Sequence, residues 1–243
     1  GLSWSHDNRV LLSQASVPCA IVTESGAIRV YYVDASRFPE NVNCAESEDG
    51  GVNFRVLNCV IENRSGTKAV DPSVIRLPDG RYRLYYFAVE KGFDESPHSI
   101  YSAISDDGVH FKEEQEVFRY PGIVDPDVFW TGKDWMMYVF SLRDRCTIIA
   151  RSSDGLNFNY IGPLSPRYFG TVAPIRLTDG RFRLYAFDQP MMKTVYSFVS
   201  SDCLNWTQEP GLRLQALAGK RITDPFVVRL QDGSWKMFFK SEN

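Results

Sequence analysis

The feature that most constrains the fold of this chain is a sequence unit that recurs five times. Each copy contains a short residue–proline step, or a degenerate version of it, followed by an apolar run. The residues before the proline are Val17, Asp71, Asp125, Ala173 and Asp224. They are spaced by 54, 54, 48 and 51 residues. A period of about 50 residues is typical of repeat architectures, in which each repeat is one supersecondary unit.

Every unit has the same internal order, which indicates β-structure. The apolar run enters a glycine turn, as at Asp79-Gly80 and Asp179-Gly180. Such dipeptides supply the positive φ angles that tight hairpins need. An aromatic-rich segment follows, then a third strand that ends in a Ser-x-Asp-Gly type turn such as 152–155. With no helical periodicity, these units predict four-stranded propeller blades. A solenoid is the alternative architecture, but it does not need so long a repeat.

We therefore predict one all-β domain over residues 1–243, a five-bladed β-propeller. The blades are expected at approximately 13–66, 67–121, 122–166, 167–218, and 219–243 together with 1–12. The first four residues, Gly1-Leu2-Ser3-Trp4, match Gly155-Leu156-Asn157-Phe158, so residues 1–12 are expected to form an outermost strand. The fifth unit has only two strands after Ile222, so this last blade is expected to be closed by the N-terminal strand and to be incomplete.

Composition narrows the class of function. The formal net charge is −3, which disfavours a nucleic-acid-binding protein because such proteins normally carry a basic stripe. No apolar run approaches the roughly 20 residues that span a bilayer, and no signal peptide is visible. These observations predict neither a nucleic-acid nor a membrane partner, and they leave localisation and oligomeric state open.

Metal and cofactor chemistry has little support in the sequence. The five cysteines have no CxxC spacing and are expected to be reduced thiols, with Cys44 and Cys59 the one pair that a hairpin would bring together. Only three histidines occur, and the HExxH, GxSxG, P-loop and dinucleotide-binding patterns are missing. We expect no metal site and no cofactor.

The repeat places candidate functional residues at one mouth of a central channel. The first strand of each propeller blade lines the channel, so Asp71, Asp125 and Asp224 should converge there. The second strand returns to the same mouth and should add further polar residues at or beyond its end: Asp34, Glu90, His98, Arg143, Arg145, Asp188 and Glu242. Clustered carboxylates in a concave site push pKa values apart. An Asp before Pro also has a purely structural reading, since it can cap a turn.

The Asp-Pro steps at inner strand starts resemble those of family-43 glycoside hydrolases and, more distantly, family 32. That resemblance implies a five-bladed fold and a sugar substrate. It implies that Asp71 is the base or nucleophile and that Asp125 is the residue that tunes it. The expected third carboxylate is missing at Ala173, and Val17 replaces the aspartate in the first unit.

The acid in this scheme is therefore sought at Asp188 or Glu90, with Asp188 favoured because it lies on the fourth unit. The expected substrate-binding residues are Asp224, Glu90, Arg143, Arg145, His98 and Tyr168. Tyr168 is expected to form an apolar wall for a sugar face, together with Phe169, Met191 and Met192, although methionine is equally common as core filler.

Three functions follow from this reading. The first is hydrolysis of an oligo- or polysaccharide through the carboxylates at the channel mouth. The second is a non-catalytic propeller that binds carbohydrate or another partner. The third is phosphorolysis of a glycoside, with Arg143, Arg145 and Arg221 holding phosphate. Fold analogy alone does not choose among them.

Overall fold

The computed structural model describes residues 1–6, 9–89, 97–165 and 169–243. Within these ranges the regular structure consists of twenty β-strands arranged in five sheets. In the same ranges, no helix has the length and apolarity needed to cross a membrane.

The first three sheets are antiparallel meanders in which consecutive strands are neighbours, with one short parallel addition. Sheet 1 contains β1 (Ala15–Val22), β2 (Ile28–Asp34), β3 (Asn41–Ser47) and β4 (Arg55–Val56). Sheet 2 contains β6 (Lys68–Arg76), β7 (Tyr82–Val89), β8 (Pro97–Ser105) and β9 (His110–Pro121), with β5 (Val60–Glu62) parallel to β9. Sheet 3 contains β10 (Ile123–Trp130), β11 (Trp135–Ser141), β12 (Cys146–Ser152) and β13 (Asn159–Pro163).

The last two sheets are built from the fourth and fifth units. Sheet 4 contains β14 (Phe169–Arg176), β15 (Phe182–Asp188) and β16 (Thr194–Ser200), whose outer edge pairs with β17 (Thr207–Gln208) and β18 (Leu214–Gln215). Sheet 5 contains only β19 (Arg221–Arg229) and β20 (Trp235–Glu242).

The structure thus has a propeller-like arrangement with four blades, whereas five were expected with the last one incomplete. The fifth unit forms a two-stranded sheet of β19 and β20. The strand expected over residues 1–12 is also wrong. Residues 1–6 and 9–12 form no strand and make their contacts through side chains and isolated carbonyls instead of a backbone ladder.

The first strand of every sheet lies toward a common axis. Strand β6 contacts β1 and β10, while β14 contacts β10 and β19. Strand β19 also contacts β1. The five inner strands therefore lie next to one another about this axis, and the apolar clusters lie between neighbouring sheets.

A repeated tyrosine contact links each full blade to the turn of the next. The hydroxyls of Tyr31, Tyr85 and Tyr138 donate to the carbonyl oxygens of Gly108, Gly155 and Cys203 at 2.8, 2.9 and 2.7 Å. Each ring also meets an aromatic ring of that turn edge-on: Phe111, Phe158 and Trp206. A buried hydrogen bond of this kind contributes about 1 kcal/mol, and the ring pair adds about as much again.

The turns that receive these tyrosines are fixed by their own aspartates. In the turn of sheet 3, Asp154 Oδ1 accepts hydrogen bonds from the backbone N–H groups of Leu156 and Asn157 at 2.8 and 2.9 Å. The hydrogen bond from the Asn157 side chain to Asp154 Oδ2 and these backbone bonds hold the pKa of Asp154 below its ordinary value. The Ser-x-Asp-Gly pattern therefore shapes the blade edge, away from the channel.

The N-terminal segment makes the same contact with sheet 4. The hydroxyl of Tyr185 donates to the Gly1 carbonyl at 2.8 Å, and the Trp4 ring meets the Tyr185 ring edge-on at 5.8 Å. The Gly1–Trp4 segment thus occupies, beside Tyr185, the place that Gly155–Phe158 occupies beside Tyr85.

All five cysteines are free thiols, and Cys59 lies within hydrogen-bonding reach of Cys44.

Candidate functional site

The proline steps turn side chains into the channel by interrupting the β-ladder. In sheets 1, 2, 3 and 5 the pairing of the inner strand slips at this dipeptide. Proline has no N–H to donate to the ladder, so a bulge is the natural accommodation. The residue before each proline has a positive φ: Val17 (48°), Asp71 (56°), Asp125 (53°) and Asp224 (52°). Aspartate tolerates this left-handed backbone, whereas β-branched Val17 is strained in it.

The register of sheet 4 shows that Ala173 is not the equivalent of Asp71, Asp125 and Asp224, although the sequence alignment predicted that it is. Here the ladder slips between Phe169 and Val172, and Ala173 pairs with Tyr185 as Ser73 pairs with Tyr85. Thr171 and Val172 therefore stand where Asp71 and Pro72 stand in sheet 2. The glycine turn carries the signal for this register, because Thr171 precedes Asp179 by eight residues, as Asp71 precedes Asp79.

The channel itself is small and is bordered by the carboxylates. A cavity of about 30 Å³ lies there, which is room for one water molecule and not for a sugar ring. Its walls include three carboxylate-bearing residues, Asp125, Asp127 and Asp224, and the side chain of Thr171.

Asp71 and Asp125 are directly linked. The backbone N–H of Asp125 donates to Asp71 Oδ2 at 3.3 Å, and the Asp71 side chain is buried. Burial, reinforced by the negative charge of Asp224, raises the pKa of Asp71 to about 7 in spite of that hydrogen bond. Burial also raises the pKa of Asp125 well above its ordinary value, and the charges of Asp71 and Asp224 act in the same direction. Both carboxyls therefore favour the protonated form more strongly than an ordinary aspartate does.

Asp224 is held in place by two threonines. Thr171 Oγ1 donates to its Oδ1 at 2.9 Å, and Thr223 Oγ1 donates to its Oδ2 at 3.0 Å. Burial raises the pKa of Asp224, while these bonds and the charge of Lys240 oppose the rise. Lys240 lies on β20 beside Thr223 and forms an ion pair with Glu242 at 3.0 Å. The sequence analysis did not select Thr171 or Lys240.

Asp127 is a further channel carboxyl that the sequence analysis did not select. It lies two residues after Asp125 and has no hydrogen-bond partner among the residues that the structure describes. Burial alone raises its pKa well above the ordinary value for aspartate. Asp125, Asp127 and Asp224 thus line this cavity, and Asp71 is joined to them through the Asp125 N–H.

The other predicted site residues are not joined to this cluster by any contact in the described ranges. Asp188, at the end of β15, uses its Oδ1 to accept the backbone N–H groups of Lys193 and Thr194, both at 2.8 Å. His98 was expected in a loop but is buried at the start of β8. There its Nδ1 lies 3.1 Å from the carbonyl oxygen of Ile123, and its ring packs on Phe87.

Arg143 and Arg145 lie in the exposed turn after β11. The Arg143 guanidinium donates to Asp144 Oδ1 at 2.9 Å and stacks over the Tyr120 ring at 5.0 Å. The backbone of Arg145 has a positive φ of 50°.

Glu90 and Tyr168 lie outside the described residues. Within the described ranges, no group of three or more His, Cys, Asp or Glu side chains is arranged to hold a metal ion.

Comparison with known proteins identifies the fold. No protein-family model matches the sequence, and no curated protein matches it significantly. A thermostable family-43 glycoside hydrolase superposes with a TM-score of 0.74, at 16% identity, covering 97% of this chain and 86% of that one. The fold is that of family-43 glycoside hydrolases.

Two further family-43 fold matches were solved with saccharides. A GH43 enzyme from Xanthomonas citri complexed with xylotriose has a TM-score of 0.72 and 17% identity, covering 95% of this chain and 82% of that one. An α-L-arabinanase from Penicillium chrysogenum complexed with arabinobiose has a TM-score of 0.68 and 16% identity, covering 95% and 78%. The resemblance based on the Asp-Pro repeat is confirmed for the fold. At such identity, residue roles must be argued from the channel itself.

Proposed function

We propose that the protein hydrolyses glycosidic bonds of an oligo- or polysaccharide, with Asp71 and Asp125 as the working carboxyls. The carrying observation is the buried Asp71–Asp125 pair, in which the pKa of Asp71 is about 7. Glycoside cleavage needs one protonated carboxyl to protonate the leaving oxygen and one ionised carboxylate to activate water or attack carbon. Two buried carboxyls with raised pKa values, that of Asp71 being about 7, can supply a protonated and an ionised group near neutral pH.

The surrounding groups support this proposal. The water-sized cavity beside Asp125 provides a place for a water next to the carboxylates. Asp224, held by Thr171 and Thr223, presents a fixed carboxylate that can tune the pair or accept a sugar hydroxyl. Asp188 stays a candidate acid, since its Oδ2 has no partner among the described residues. Arg143, Arg145, His98, Glu90 and Tyr168 stay predictions for substrate binding.

Turnover of a saccharide panel tests the proposal. The panel contains aryl xylosides, arabinofuranosides and galactosides, together with xylotriose and arabinan oligosaccharides, because proteins of this fold bind such sugars. We expect release of reducing sugar by the wild-type protein. Hydrolysis that persists unchanged in both Asp71→Asn and Asp125→Asn would refute the assignment.

A non-catalytic carbohydrate-binding propeller is the second candidate. It is favoured by Val17, which fills one place in the ring with an apolar side chain, and by the capping of a loop by Asp188 Oδ1. Calorimetry that detects saccharide binding without any turnover would establish it. No comparable observation favours phosphorolysis, because Arg143 is already paired with Asp144.

We also propose that sheet 5 is the inner half of a fifth blade and that the Gly1–Trp4 segment supplies its outer turn. The Tyr185 contact with Gly1 and Trp4 repeats the contacts of the other blades. Phe238 of β20 meets Phe54 edge-on at 6.1 Å, which continues the pattern from sheet 5 to sheet 1. With β19 against β1, these contacts support a closed ring.

Trp4→Ala tests whether the Gly1–Trp4 segment stabilises the fold as the outer turn of the fifth blade. We expect the free energy of unfolding to fall by about 2–3 kcal/mol, because the half-buried indole leaves a cavity against Tyr185. Trp130→Ala is the matched control, since Trp130 is 44% exposed, and it should cost less than about 1 kcal/mol. Urea denaturation measures both. An equal loss of unfolding free energy in Trp4→Ala and Trp130→Ala would contradict this role of the Gly1–Trp4 segment.

A further inference from the structure

A second, larger cavity lies between sheets 1 and 2. Its volume is about 470 Å³, within the range of small-molecule sites. Its polar lining comes from the end of β2, the start of β3 and the segment before β6: Asp34, Arg37, Asn41, Asn43, Asn58 and Arg64. Ala69 also lines it and lies two residues before Asp71 on β6.

The side-chain oxygens of Asn41 and Asn43 in this cavity are already occupied by the protein. Asn41 Oδ1 accepts from the Arg64 guanidinium and from the Ala69 N–H. Asn43 Oδ1 accepts the backbone N–H groups of Cys44 and Cys59 at 2.8 and 2.9 Å. Neither amide oxygen has a free lone pair for a ligand hydroxyl.

The single carboxylate in the lining is occupied as well. Asp34 Oδ1 accepts from the backbone N–H and the hydroxyl of Ser36 at 2.9 and 2.5 Å, and Oδ2 accepts from Asn43 Nδ2 at 3.0 Å. A ligand that offers donors therefore meets few available acceptors among these side chains.

The donors, in contrast, are in excess. In the described residues, Arg37 makes one hydrogen bond, a long one of 3.3 Å from Nη2 to Asn58 Oδ1. That leaves most of its guanidinium N–H groups, together with the Asn58 side-chain N–H₂ group, facing the cavity or solvent. With Arg37 and Arg64 against Asp34, these lining side chains carry a net charge of +1.

We infer that this cavity binds the carboxylate of an acidic saccharide unit. A guanidinium presents its N–H groups in a fork that matches the two oxygens of a carboxylate. Phe38, between the lining residues Arg37 and Pro39, is fully exposed and offers an apolar face for the C–H side of a sugar ring. The saccharide part of this assignment rests on the proposed function, whereas the carboxylate part rests on the cavity alone.

Binding of galacturonic acid and galactose, measured by titration calorimetry, tests the inference, because the two sugars differ at C6 in the carboxylate. We expect galacturonic acid to bind at least about tenfold more tightly than galactose. Arg37→Gln should weaken galacturonic acid binding about tenfold, and Arg37→Lys should restore only part of it. Arg37 is exposed, so these variants are expected to fold. Arg181→Gln, which removes an exposed arginine paired with Asp179 on sheet 4, is the matched control and should bind like the wild type.

Three results would overturn the inference. They are equal affinity for galactose and galacturonic acid, an unchanged affinity in Arg37→Gln, and binding of acetate or inorganic sulfate as tight as that of the sugar acid. None of them depends on turnover. A protein that binds galacturonic acid through Arg37 but hydrolyses no saccharide would refute the proposed hydrolysis and support this site. A protein that hydrolyses saccharides but does not bind galacturonic acid would support the proposed hydrolysis and refute this site.

Discussion

Asp71→Asn is expected to make the protein more stable at pH 8, although it removes a proposed catalytic group. The pKa of Asp71 is about 7 in the folded protein, against 3.8 for an ordinary aspartate. Below pH 4 both states hold the proton and the carboxyl contributes nothing. Between pH 4 and 7 the unfolded chain ionises first, so the free energy of unfolding falls as pH rises. Above pH 7 the full cost of ionising a buried carboxyl is present.

Asparagine keeps the shape and the acceptor for the Asp125 N–H but never ionises. At about 1.4 kcal/mol per pKa unit, the variant should gain on the order of 3–4 kcal/mol at pH 8 and nothing at pH 4. For a domain of this size, the gain corresponds to a Tm higher by about 5–10 °C at pH 8. Thermal denaturation across that pH range measures both.

Asp79→Asn is the matched control. Asp79 is exposed in a turn, and hydrogen bonds from Arg81 hold its pKa below the ordinary value. Its replacement should bring no gain in stability at pH 8. If Asp71→Asn lowers the Tm by the same amount at every pH, Asp71 is a structural cap and its burial carries no electrostatic strain.

Asp125→Asn is expected to abolish hydrolysis while the fold persists. General acid–base groups contribute about 10²–10⁴ in rate, so a loss of about 10³ in kcat/KM is expected. The backbone N–H of Asp125 still donates to Asp71 in this variant, which keeps the local bulge intact. Asp232→Asn, in the exposed turn between β19 and β20, should leave kcat/KM unchanged. A loss of less than tenfold in Asp125→Asn would remove Asp125 from the chemistry.

The stability of Asp71→Asn and the activity of Asp125→Asn together show whether these aspartates are kept for chemistry or for packing. A buried group kept for stability loses stability when it is replaced, whereas a group kept for chemistry can be replaced with a gain. Asp71 is the residue for which this distinction is sharpest, because it is the buried member of the Asp71–Asp125 pair.

The sequence predicted the blade pattern because hydrophobic alternation, glycine turns and the proline step act locally. Tyr85 and its equivalents recur in the second strand, so the repeat could be counted. The register of sheet 4 was missed because Ala173-Pro174 imitates the residue–proline step. Only the pairing of Ala173 with Tyr185 reveals that Thr171 takes the aspartate position.

Features that depend on contacts between distant segments could not be predicted from the sequence. His98 was assigned to a loop, yet it packs on Phe87 inside sheet 2. The large cavity beside Asp71 depends on how Arg64 and Asn41 meet across two sheets. The strand expected at residues 1–12 was a reasonable extension of the Gly1–Trp4 match, but the segment reproduces only the turn and the aromatic contact.

The central claim is that Asp71, buried beside Asp125, has a pKa of about 7 in the folded protein. The most direct test is a ¹³C NMR titration of the aspartate carboxyl carbons in the wild-type protein and in Asp71→Asn. We predict at least one resonance with a midpoint near pH 7 in the wild type, and its loss in Asp71→Asn. Titration of every aspartate carboxyl below pH 5 in the folded wild-type protein would contradict the account.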